Sequence, residues 1–114
     1  MGAISSRHYH AHVYFEATQL DLARQLHREL ARLFPVQMGR IFVVPIGPHP
    51  KPMFQVIFHE TGFSAVVQWL LHNRQGLDVL VHGLSGDDLK DHSELTLWLG
   101  RSHNLDLSVL DRAG

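Results

Sequence analysis

Cysteine is absent from the 114-residue chain, which removes disulfides, thiolate nucleophiles and zinc–thiolate sites together. The absence fits a reducing cytoplasm. A basic run is missing too. Lys and Arg number 10 against 11 Asp and Glu, leaving a formal net charge of −1 with histidines neutral, so there is no electrostatic footprint for nucleic acid or an anionic membrane. No apolar stretch approaches the roughly 20 residues that cross a bilayer. The first residues lack a charged segment followed by an apolar run, so no signal peptide is expected. A chain of this length has room for one core and not two. We expect a single domain over residues 1–114, with its core at about 8–100 and with an N-terminal arm (1–7) and a C-terminal tail (101–114) loosely attached.

What the chain has in excess is histidine. The 10 histidines are scattered rather than run together, which excludes a tag or low-complexity tract. Three of them sit in residues 8–15, HYHAHVYF, a stretch of strand-forming composition that alternates. Tyr9, Ala11, Val13 and Phe15 fall on one side; His8, His10, His12 and Tyr14 fall on the other. Imidazoles two residues apart on a strand have Cα atoms roughly 6.5 Å apart, close enough to share a metal ion. A solvated strand face is the plain alternative, and for a His-x-His pair opposite an apolar side the two readings are evenly matched.

After this strand, Thr18 suits a helix N-cap and Asp21 the positive end of the helix dipole. Leu20, Ala23, Leu26, Leu30 and Leu33 form a stripe of helical period. His27 lies off that stripe and reads as solvated, and Pro35 stops the helix. A second strand is expected over 40–45. A rigid turn comes next at 47–52, where three prolines fix φ, and a third strand covers 53–59. Thr61 or Ser64 would cap a second helix carrying Phe63, Val66, Val67, Leu70 and Leu71, with Gly76 as its exit. A fourth strand is expected over 77–82, and residues 91–100 fit either strand or helix. This order is βαββαβ, an α+β ferredoxin-like sandwich: a four-stranded antiparallel sheet, strand order 4-1-3-2, with two helices on one face.

Tyr9, Ala11, Val13 and Phe15 should then face the helices, with the histidines on the uncovered face. Antiparallel pairing brings His59 and His82 toward His10 on that face. His49, in the proline turn, should lie at the opposite end of the sheet from His82. The uncovered face also carries Met53, Ile57 and Leu80, an apolar patch that calls for a partner. A two-fold homodimer is one way to cover it and to bring His49 toward the other chain's cluster; a solvated residue in the proline turn is the equally matched reading of His49.

Four blocks fall in an order found in a known family: residues 9–15 (YHAHVYF), 47–50 (GPHP), 80–82 (LVH), and Asp91-His92 followed by 97–100 (LWLG). Over about 9–100 the chain resembles the DOPA 4,5-dioxygenase family. One departure is Gly83, where that family usually has proline after the histidine; a flexible residue there would loosen the adjoining loop. The resemblance implies a small dimeric ferredoxin-like protein that opens a catechol ring with dioxygen. It also implies a redox-active ion, Fe(II), since zinc has no accessible redox chemistry. On this resemblance His10 and His12 are paired ligands and His82 is the third, with Asp91 or Glu60 as the carboxylate alternative. His92 would transfer a proton and His49 would bind the substrate. The competing readings are a metal- or aromatic-ligand-binding dimer without catalysis, and a structural module whose histidines line a wet groove.

Overall fold

The computed structural model describes residues 7–110, so most of the expected arm, and residues 111–114, lie outside the described residues. Strand β1 (His8–Tyr14) leads through a 3-10 turn into helix α1 (Leu20–Leu33). Strands β2 (Gln37–Phe42) and β3 (Met53–His59) come next, then α2 (Phe63–Asn73), β4 (Val79–Gly83), the one-turn helix α3 (Asp88–Asp91) and β5 (Thr96–Leu99). The sheet is antiparallel with order β2-β3-β1-β4-β5. The four strands expected are therefore five. Residues 96–99, ambiguous by period, pair Val79 with Leu99 and His82 with Thr96, which satisfies backbone groups that an open β4 edge would leave bare.

One sheet face carries the main core. Ala11, Val13 and Phe15 pack there with Phe54, Val56, Val79 and Val81 of the sheet, against Ala23, Leu26 and Leu30 of α1 and Val66 and Leu70 of α2. This is the face assigned from the alternation of residues 8–15. The helix entries differ from expectation. Glu16 and Gln19, not Thr18, form a reciprocal capping box before α1. Before α2, the ring of His59 accepts the Thr61 N–H at 3.2 Å. β2 begins three residues earlier than expected, and a register shift between Met38 and Ile41 breaks its ladder to β3. The Gly39 carbonyl at this bulge is met by His27 Nε2 at 2.8 Å, and the His27 ring stands edge-on to Phe54. His27 is thus half-buried rather than solvated, because the bulge leaves a backbone group for it to satisfy.

The opposite face is not bare. Tyr14, Met53 and Leu80 are buried there in a second cluster with Phe42, Trp98 and Leu105. Residues 101–110, expected to be loosely attached, supply part of the cover. His103 Nε2 lies 2.7 Å from an Asp78 carboxylate oxygen, the other oxygen accepts the Arg101 N–H at 2.9 Å, and the Asp106 N–H donates to the Pro48 carbonyl. The turn into this segment depends on Gly100, whose φ is +83° and whose absent Cβ would collide with the Asp78 carboxylate and the Arg74 guanidinium. Gly100→Ala is expected to cost about 1–3 kcal/mol, read as a lower urea midpoint at unchanged m-value. No helix among the described residues is long and apolar enough to cross a membrane.

Candidate metal centre

β1 sets the site. Because its apolar residues go to the main core, His10 and His12 must stand on the other face, and pairing then selects their neighbours. His10 lies directly opposite His82 on β4. His59, expected near His10, instead pairs with His8 and is engaged in capping the turn before α2. His10, His12 and His82 have candidate ligand atoms within 4.8 Å of one another, and so do His12, His49 and His92. His12 belongs to both groups.

His49 corrects the expectation most sharply. It is 6 % exposed and its ring centroid lies 4.1 Å from that of His12 in the same chain. Met53 pairs with Tyr14, so the loop before β3 leaves the sheet beside Tyr14. Four residues reach up to about 13 Å, enough for the loop to fold back over the face to His12, two residues along β1. The Asp106–Pro48 hydrogen bond holds it there. No second chain is needed to bring His49 in. Tyr14 is not among the expected site residues, yet its hydroxyl is hydrogen-bonded to His49 Nδ1 at 2.7 Å. The signal was present: Tyr14 shares the alternating face of His10 and His12.

His92 lies just past α3, with its ring centroid 4.3 Å from that of His82. The preceding residue, Asp91, is buried and accepts both the N–H and the hydroxyl of Ser85. It pins the 84–91 loop. Glu60 accepts the Arg7 N–H. Neither carboxylate falls in a converging group, so among the described residues every candidate ligand in those groups is an imidazole. Gly83, expected to loosen the adjoining loop, is itself held: its N–H donates to the Leu95 carbonyl at 3.0 Å.

Hydrogen bonds fix the tautomers. A carbonyl only accepts, so His82 Nδ1 must carry a proton to bond the Gly83 oxygen at 2.9 Å, and His92 Nδ1 must carry one to bond the Asp88 oxygen at 2.7 Å. His82 Nε2 is then a lone pair when the ring is neutral, and it lies 3.0 Å from His12 Nε2. In the metal-free protein His12 Nε2–H donates across this gap. That leaves His12 Nδ1 a lone pair, buried and without a hydrogen-bond partner, at a cost of about 1–3 kcal/mol. The donor set fits a cation. Two nitrogens each about 2.1 Å from one ion and at right angles are about 3 Å apart, and the carbonyl bond to His82 Nδ1 is the usual support of a ligating histidine.

Four of the rings, His10, His12, His49 and His82, are also held toward the neutral form that a ligand must have. Burial, and then the proximity of His82 and His92, lowers the His10 pKa to about 4. Burial, and then His92 and His82, lowers that of His49 to about 4. His12 is held well below the ordinary value by burial and by His49, and His82 is lowered chiefly by burial. An unfolded histidine titrates near 6.5. Between about 6.5 and 4 the unfolded chain therefore binds more protons than the folded one, and stability falls as pH falls through that window. After discounting for partial exposure, His10 and His49 together are worth about 2 kcal/mol, or on the order of 10 °C in Tm. Thermal unfolding of metal-free protein between pH 7.5 and 4.5 is expected to register that drop; a flat profile would contradict the buried neutral cluster.

A family model described as the Dopa 4,5-dioxygenase family matches residues 9–109. An uncharacterized 21.2 kDa protein of Botryotinia fuckeliana is 37% identical over 116 residues, covering 91% of this chain and 63% of its own length. A DOPA 4,5-dioxygenase of Amanita muscaria is 31% identical over 113 residues, covering 91% of this chain and 50% of its own. The chain thus spans less than two thirds of these curated relatives. A crystal structure of a candidate dioxygenase from Nostoc punctiforme superposes with a TM-score of 0.88 at 47% identity, covering 91% of this chain and 90% of that one. With a family match over nearly its whole length and relatives that agree with it, this chain belongs to the Dopa 4,5-dioxygenase family.

Proposed function

We propose that the protein is an extradiol ring-cleaving dioxygenase of a small catecholic substrate, with Fe(II) held by His10, His12 and His82. The observation that carries this reading is the 3.0 Å approach of two neutral imidazole nitrogens, His12 Nε2 and His82 Nε2, with His10 beside them. Fe(II) bound there would bring a catecholate and dioxygen together, so that both oxygen atoms enter the ring-opened product without an external reductant. His92 is the proton acceptor for the catechol hydroxyl. Its Nδ1 is committed to the Asp88 carbonyl, so the neutral ring has its lone pair on Nε2. His49, aligned by Tyr14, contacts the substrate. The loop that carries His49, tied to the 101–110 segment by the Asp106–Pro48 hydrogen bond, covers the buried side of the cluster.

The test is direct. Protein loaded anaerobically with Fe(II) is given catechols and then air, and a yellow ring-opened product with one dioxygen consumed per ring is expected. Stoichiometric iron binding with no product would replace this reading with the metal- or aromatic-ligand-binding module.

A further inference from the structure

Beside His10, at the edge of the cluster, lies charge that the proposed chemistry does not use. A cavity of about 550 Å³ is lined by Arg7, His8, His10, Ile57 and Leu84, so it opens onto a candidate metal ligand. A second, of about 400 Å³, shares Arg7, His8 and Leu84 with it and adds Lys90 and Leu95. Sharing Arg7, His8 and Leu84, the two make a groove in which Arg7 lines the same cavity as His10, with Ile57 and Leu84 as apolar lining, and Lys90 lines the adjoining cavity. Among the described residues, no carboxylate lines either cavity. Two acids that accept the backbone N–H groups of Arg7 and Lys90 are otherwise engaged. Glu60 accepts the Arg7 backbone N–H at 3.3 Å and lies 3.9 Å from His59 Nε2; Asp87 accepts the Lys90 backbone N–H at 3.1 Å. Among the described residues, neither the Arg7 guanidinium nor the Lys90 ammonium has an ion-pair partner.

We infer that this groove selects catechols whose side chain ends in a carboxylate and bears no ammonium group, with Arg7 and Lys90 as the specificity-determining residues. The inference rests on the catechol-cleaving reading of the cluster. A guanidinium fork matches a carboxylate bidentately, and an apolar stretch with a few charged groups at its end suits an aromatic acid. An ammonium on the same side chain would meet Arg7 and Lys90 with no counter-charge, so DOPA itself is a poorer fit than its deaminated analogue. The electrostatic part of this selection is screened by salt, because both cations are exposed.

The experiment compares kcat/KM for dihydrocaffeate, DOPA, dopamine and methylcatechol on Fe(II)-loaded protein. Dihydrocaffeate is expected to exceed methylcatechol by about tenfold, and dopamine by more. In the Arg7→Ala, Lys90→Ala double variant the ratio of dihydrocaffeate to methylcatechol should fall about tenfold, an internal ratio that loss of folded protein cannot move. Lys90→Glu should shift the preference toward dopamine. A ratio unchanged in the double variant, or a wild type that prefers DOPA or dopamine to dihydrocaffeate, overturns the inference and leaves the dioxygenase reading standing. If no catechol is opened at all, the dioxygenase reading fails separately. Calorimetric titration of the same proteins with dihydrocaffeate and methylcatechol then decides the groove: binding selective for the acid and lost in the double variant supports it, and its absence overturns it.

Discussion

Titration of a His12→Ala variant with Fe(II) under anaerobic conditions is expected to show no binding at concentrations that saturate the wild type. His12 is the residue common to both converging groups, so its loss leaves at most two members in either. Replacing a group that merely supports a ligand costs 10- to 100-fold in affinity, and loss of a ligand shared by both groups should exceed the top of that range. His12 is 2 % exposed, so the truncation also leaves a hole between the sheet and the loop over it. The hole is partly offset, because the buried and unpartnered Nδ1 disappears with the ring. The variant should therefore unfold cooperatively at a somewhat lower temperature while failing to bind. A His12→Ala protein that takes up Fe(II) with wild-type affinity would remove both histidine groups from consideration at once.

Turnover by a His92→Gln variant should fall by about a hundred- to ten-thousandfold with Fe(II) affinity little changed, because a positioned proton acceptor contributes that much to rate. Glutamine can keep a hydrogen bond toward the Asp88 carbonyl that His92 Nδ1 now occupies, yet offers no basic nitrogen. Single-turnover kinetics on enzyme preloaded with iron isolates the effect from metal loss. The alternative outcome is equally informative. His92 is also a member of the second histidine group, and a variant that loses iron along with activity would move the ion toward His12, His49 and His92. Asp91→Asn is the useful companion: Asp91 anchors the loop through Ser85, so its replacement should disturb His92 only by loosening its support.

Much of this was written into short-range pattern. The alternation of residues 8–15 put Val13 and Phe15 in the main core and His10 and His12 on the other face, because strand side chains alternate without regard to what surrounds them. Antiparallel pairing then made His82 the neighbour of His10. Period alone could not place residues 96–99: Leu97 and Leu99 alternate, Trp98 packs on the face of Tyr14, and only the unpaired edge of β4 chose strand over helix. Nor could it separate His59 from the cluster, since His59 sits on the expected face and is diverted by capping the next turn.

The sequence by itself determined the order of the first four strands and the two long helices, the two faces of β1 and the family, because these depend on residue type and spacing along the chain. Only the tertiary structure decided how the histidine face is closed. His49 enters the cluster because a proline-rich loop starting beside Tyr14 folds back and is tied down by residues 101–110. Such a path is set by contacts between segments more than 50 residues apart in sequence, which no local period encodes. The same closure buries His12 and His82, and burial holds both imidazoles below the ordinary pKa, further toward the neutral form. The chain specifies which side chains face one another; the packing over them sets their charge, and with it their capacity to hold a cation.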